Sequence, residues 1–202
     1  MLVSEYLSRV MPSVMGCPIP VAEMAILDSA DELCRESRVL RESQDIPLVS
    51  GTTEYDLDPV TVGTFAVEVL FARIGISEPL EPVTPDLLNR LIMGTGEPEF
   101  IEQVSSDLVR LHPAPKTSED MSVTMVLSVS PGSTSIPASL DRWRDGIVGG
   151  ALHRLMSMPN QAWANPQLAV TFRQSFNNAL NGATSQATLG NLKAALRTVP
   201  CP

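Results

Sequence analysis

Apolar residues recur every three or four positions at both ends of the chain and at every second position through its middle. The opening stretch LVSEYLSRVM places Leu2, Tyr6, Leu7 and Val10 near one face of a short amphipathic helix, which Pro12 and GCPIP then break. From Pro20 to about Arg41, Ala22, Ile26, Ala30, Leu33, Ser37 and Leu40 form one helical stripe, with Glu23, Asp28, Asp31, Glu32, Glu36 and Arg38 on the other faces. Proline needs no backbone donor at the first helical position, so Pro20 suits the start. The period then changes. IPLVSGTTEYDLD alternates about a Ser50-Gly51 turn, and TFAVEVLFARIGI, rich in β-branched and aromatic residues, predicts a long strand. SEPLEPVT reads as its partner or an edge, because its prolines cannot sit in a central strand. TPDLLNRLI predicts a short helix capped by Thr84, with Leu87, Leu88 and Leu91 facing inward. PEFIEQVSSDLVRLHPAP predicts a hairpin turning at residues 105–107. In MSVTMVLSVSP, Val123, Met125, Leu127 and Val129 alternate with Ser122, Thr124, Val126 and Ser128, the period of a half-buried strand.

Helical spacing returns in SLDRWRDGIVGGALHRLMSM, where Leu140, Trp143, Ile147, Ala151, Leu155 and Met158 share a stripe. After a break marked by Pro159 and Pro166, with Trp163 in the turn, Leu168, Ala169, Phe172, Phe176, Ala179, Leu180 and Ala183 continue at helical spacing. Helices joined by so few residues pack antiparallel. In the tail, Leu189, Leu192 and Leu196 form one short amphipathic stretch, and TSQATLG is expected to break a continuous final helix. The expected fold class is α+β, with terminal helices forming one α-helical bundle around an inserted, mostly antiparallel β domain. Residues 1–44 would supply the N-terminal helices, 45–135 the β domain, 136–183 the C-terminal helix pair and 184–202 a tail.

Composition narrows the chemistry. With aromatics at 4%, the core must rest on Leu, Val, Ile, Ala and Met. A formal net charge of −9, with Lys116 and Lys193 as the only lysines and no Lys/Arg run, argues against gripping nucleic acid, where phosphate neutralisation dominates affinity. Cys17, Cys34 and Cys201 are far apart with no CxxC, as expected for free thiols in a reducing compartment. The beginning MLVSEYLSRV has an early acid and no long apolar run, so no secretory leader is expected, and no stretch is apolar for the roughly 18 residues of a membrane span.

Candidate catalytic chemistry is thin. His112 and His153 lack a second ligand at zinc spacing, and each is expected in a solvated or hydrogen-bonded structural role. Neither a GxSxG nucleophile elbow nor a phosphate-cradling loop occurs. The acidic pairs in DLD (56–58) and EPE (97–99) read as solvated turns, and the glycine pair in GTG (94–96) as a loop. Trp143 and Trp163 read as bundle and turn packing. No cofactor or metal is expected, and the protein is not expected to be an enzyme.

The stretch DGIVGGALHRLMSMPNQAWANPQLAVTFRQSFNNAL resembles the C-terminal helix pair of head-to-tail adaptor proteins of tailed bacteriophages, particularly the tail tubular protein A type. The resemblance is carried by Gly150-Ala151-Leu152, Arg154-Leu155, Met158-Pro159, Trp163, Asn165-Pro166 and Phe172/Phe176, with LLNRL and LVRLHPAP agreeing more loosely. It implies a structural virion protein made in the host bacterial cytoplasm. Such a protein forms a homo-oligomeric, dodecameric ring between the portal protein and the tail nozzle or tail tube protein, and DNA passes through the ring without sequence-specific binding. Gly149, Gly150, Ala151, Leu155, Trp163, Phe172 and Phe176 are the implied subunit-interface or bundle residues. Leu189, Leu192, Leu196 and Pro200 are the implied portal-docking residues. The alternatives are another virion part, such as a tail terminator, completion or decoration protein, and a small-ligand-binding or hydrolytic domain built on the β region.

Overall fold

The structure is a computed structural model, and it describes residues 1–84 and 95–190. The expected helix at TPDLLNRLI lies outside the described residues, as do Leu192, Leu196, Pro200 and Cys201. The protein is α+β, and the chain divides into two compact units.

The first unit comprises residues 1–3 and 40–141. Its main sheet has the order β1-β9-β3, all antiparallel, from β1 (Arg41–Pro47), β3 (Thr64–Ile74) and β9 (Asp120–Val129). β9 takes the centre because it has no proline and can pair on both edges, whereas β1 ends at Pro47. Its alternation holds over Met121, Val123 and Met125 and then stops, because Val126, Leu127, Ser128 and Val129 are all buried. β3 is 11 residues long and has register shifts at two places, between Ala66 and Glu68 and between Val69 and Phe71. A bulge leaves backbone groups off the ladder. Here Gln103 takes them up: its Oε1 accepts the Val69 N–H at 2.9 Å and its amide nitrogen donates to the Val67 carbonyl at 3.5 Å.

A second sheet, order β2-β7-β6-β4, is built from β2 (Glu54–Asp56), β4 (Glu81–Pro82), β6 (Phe100–Gln103) and β7 (Leu108–His112), with β4 the parallel member. β6 and β7 are the expected hairpin. The SEPLEPVT segment supplies the short edge β4 and a bridge from Pro79 to Arg73. β5 (Thr95–Gly96) and β8 (Ala114–Pro115) form a parallel pair. Tyr55, Ile101, Val109 and Leu111 are buried, each such apolar side chain worth about 1.5–3 kcal/mol.

The described part of the second unit comprises residues 4–39 and 142–190. It holds α1 (Val3–Val10), α2 (Ile19–Ser37), α3 (Arg144–Met156) and α4 (Pro166–Leu189), the first helix beginning one residue earlier in the other unit. α2 packs on α3 and α4, and α3 packs on α4. α2 ends at Ser37 rather than Arg41, since Arg38 turns left-handed at φ 54° and its N–H closes on the Cys34 carbonyl. Residues 41–44, grouped in the expected N-terminal helical block, are strand. The first turns of the predicted helix at SLDRW form a 3-10 helix, Ala138–Trp143, and the α-helix begins at Arg144.

The expected break at TSQATLG falls only at the last residue of that segment. α4 runs without interruption to Leu189 and stops at Gly190 (φ 70°). Thr184, Ser185 and Thr188 sit inside it because each hydroxyl donates to the carbonyl four residues back, which satisfies a side chain that would otherwise compete for the backbone.

Candidate functional site

The glycine-rich helix, its turn and the helix that follows were the expected site, and the structure assembles them as α3, residues 157–165 and α4. The turn is fixed by local chemistry. The Asn165 N–H donates to the Met156 carbonyl at 2.9 Å, the Asn165 side chain accepts from the Leu168 N–H at 3.2 Å, and Pro166 occupies the first turn. This is the cap-then-proline start that the Asn165-Pro166 pair predicts.

The glycines of α3 make their close approaches inside the chain. A Cβ on Gly150 would strike Ser29 Oγ of α2 and come within 2.7 Å of the Phe176 ring of α4. Gly149 is less crowded, with the Phe172 carbonyl oxygen 3.2 Å from the same added atom. Ser29 Oγ donates to the Ile147 carbonyl at 2.9 Å, so the small residue at position 150 leaves room for a buried hydrogen bond between α2 and α3. Ala151, Leu155 and Phe176 are fully buried, and Phe172 and Trp163 are half-buried. Leu189, on the last turn of α4, is exposed.

Trp163 lines a cleft of about 320 Å³ with Pro12, Met15, Met156 and Leu168. Its indole N–H is buried and finds no acceptor among the described residues. Trp143 instead packs where a Cβ on Gly182 would meet its ring at 2.9 Å, and the Arg142 guanidinium stands 5.1 Å above it. Both tryptophans thus pack within the second unit.

Glu32 lies off the apolar stripe of α2, as its spacing predicts. Its carboxylate accepts from Arg154 of α3 and, at 2.8 Å, from Arg173 of α4, tying three helices together. Nothing local in the sequence marks this role, because the partners lie more than a hundred residues away. His153 is also drawn inward: its Nδ1 donates to the Ala169 carbonyl at 3.0 Å, linking α3 and α4.

The β region holds a polar cluster on its second sheet. Glu102 and His112 are buried, with Oε2 and Nε2 3.4 Å apart, and Arg110 donates to Glu102 at 3.2 Å and to Glu54 at 2.7 Å. The Glu54 hydrogen bonds, ahead of the Glu102 charge, hold the Arg110 guanidinium above its ordinary pKa. Cross-strand register explains the grouping, since Glu102 and Glu54 both oppose Arg110. A separate cleft of about 370 Å³ is floored by Leu48, Ile74 and Leu80 and rimmed by Glu97, Lys116 and Glu119.

Cys17 and Cys34 are free. Burial, with a smaller contribution from Asp31, pushes the Cys34 thiol up to about 12. Among the described residues no group of three or more His, Cys, Asp or Glu could hold a metal ion, and no helix is long and apolar enough to cross a membrane. No curated protein matches the chain. A family model described as SU10 adaptor protein matches residues 3–198.

Proposed function

The chain belongs to the SU10 adaptor protein family, and from that membership we propose that it is a structural virion protein of a tailed bacteriophage, a head-to-tail adaptor of the tail tubular protein A kind. Copies of the chain form a ring between the portal and the tail nozzle or tube, and the genome passes through its channel. The observation that carries this proposal is the family match, which extends over both units and almost the whole chain.

The charge fits a conduit. A ring of subunits at −9 each repels DNA at long range, so the polymer can move through without adhering. The internal construction fits a rigid part. The Glu32 bridge to Arg154 and Arg173 and the glycine contacts of α3 lock three helices into one block. The exposed end of α4 at Leu189 leads into the segment with Leu192, Leu196 and Pro200, proposed to dock on the portal.

Mass photometry and negative-stain imaging of the purified chain, alone and mixed with its portal, provide the test. The expected result is a closed ring that seats on the portal. A chain that stays monomeric in both conditions would overturn the proposal. A ring that binds only the tail end would point to a terminator or completion role instead.

A further inference from the structure

Two clefts of the first unit run together. The cleft of about 370 Å³ shares Ser77, Leu80, Glu97 and Pro98 with a second of about 530 Å³. One wall is the turn that follows β3. There the Ser77 N–H donates to the Ile74 carbonyl at 3.0 Å, and the Leu80 N–H donates to the Ala72 carbonyl at 2.8 Å. The floor is apolar, because Leu48, Ile74 and Leu80 are buried beneath it, and Phe100 lies half-buried in the second cleft. Ile76, beside Ser77, is fully exposed and adds apolar surface at the turn. The rim is acidic. Glu78, Glu81, Glu97, Glu99 and Glu119 line the joined groove, all exposed, and Lys116 is the one cation that lines it. Among the described residues none of these five carboxylates is in an ion pair. Nor do they converge, since among the described residues no group of three or more His, Cys, Asp or Glu could hold a metal ion. Carboxylates spread along an apolar floor suit several cations in a row, not a single ion.

We infer that this groove takes an extended peptide segment of a partner protein, one in which Lys or Arg alternates with aliphatic residues. A Lys or Arg side chain lays its methylene stem on apolar surface while its charged head reaches outward, so one residue uses floor and rim together. A cleft lined by one sign of charge focuses the field and draws the opposite sign. The same charge disfavours the other occupants. DNA is a polyanion, and a second copy of this chain brings −9. Pro79 and Pro98 in the walls have no N–H to offer, so the segment is held through its side chains and not as an added strand. The inference does not depend on the ring proposed above.

The probe is a fluorescein-labelled peptide, Ala-Lys-Leu-Lys-Leu-Lys-Ala, titrated with the full-length chain and followed by fluorescence polarisation. It is expected to bind at least about tenfold more tightly than a twin with Glu in place of Lys. Glu78→Gln, Glu81→Gln and Glu97→Gln together should weaken binding at least about tenfold. Asp28→Asn, Glu36→Gln and Asp58→Asn, which remove the same charge at exposed positions elsewhere, should leave it as in wild type. Ile76→Ser changes no charge at a fully exposed position and should weaken binding about threefold or more. Equal losses from the two triple variants, or an Ile76→Ser chain that binds like wild type, would show attraction to net charge alone and overturn the inference. A Lys peptide that binds no better than its Glu twin would do the same. A synthetic peptide of residues 191–202, which carries Lys193 and Arg197 and no acid, is the competitor. If it displaces the probe at lower concentration than unlabelled probe does, the groove belongs to the chain's own tail and the partner assignment falls. None of these outcomes bears on the ring.

Discussion

Position 150 shows how one missing methyl group organises the helical unit. A Gly→Ala change in a helix interior ordinarily gains about 1 kcal/mol. At Gly150 the new Cβ would displace Ser29 Oγ from the Ile147 carbonyl and press on Phe176, and overpacking costs about 1–3 kcal/mol. Gly150→Ala is therefore expected to lower stability in urea melts, and Gly149→Ala, which meets one carbonyl oxygen at 3.2 Å, to lower it less. The reverse order would mean that α3 is free to shift away from α2. Cys34 gives a second expectation at this scale. Its thiol is raised from an ordinary 9.0 to about 12, so folding favours the neutral form. The stability carried by the neutral thiol is complete below pH 9 and is lost as pH rises toward 12. Cys34→Ala should flatten the alkaline limb of the stability curve relative to wild type. Identical limbs would show that the thiol does not titrate against folding.

The bulged strand β3 and the long helix α4 show what a sequence declares at the scale of elements and what it does not. Gln103 supplies the partner that the Val69 N–H lacks in the ladder. Gln103→Ala should cost about 1–3 kcal/mol, read as a lower urea midpoint, because a backbone donor then loses its acceptor. An unchanged midpoint would mean that water serves the bulge equally well. Asn165→Ala should cost about 1 kcal/mol and raise amide exchange at Leu168, whose N–H the side chain caps. The β9 alternation, the α2 stripe and the Asn165-Pro166 helix start were legible because each is a local pattern imposed by backbone geometry. The bulges of β3, the partners of Glu32 and the burial of Glu102 with His112 were not, since they depend on residues brought together from distant parts of the chain. The continuation of α4 past Ala183 was obscured for a different reason. Ser and Thr resemble breakers until their hydroxyls are seen bonding back along the helix. The implied interface glycines were legible as close-approach positions, but periodicity cannot tell whether the approaching helix belongs to the same molecule.

Across the whole molecule, charge sets the conditions for assembly. Copies at −9 repel, and the Debye length falls from about 30 Å at 0.01 M salt to about 8 Å at 0.15 M. Ring formation should therefore strengthen between these conditions, as read by mass photometry at fixed protein concentration. Weakening with salt would mean that attraction between opposite charges holds the copies together. The split of the helical unit into two stretches of sequence, 4–39 and 142–190, also bears on how the protein is made. On the ribosome α2 emerges with its apolar stripe bare, and at about 5–20 residues per second roughly 100 residues separate it from α3, a wait on the order of 5–20 seconds. Closing so long a loop costs about 4 kcal/mol of chain entropy, which early folding of the intervening strands would reduce by shortening the free span. The nascent α2 is thus the longest helical apolar stripe that a holding chaperone would meet before α3 emerges.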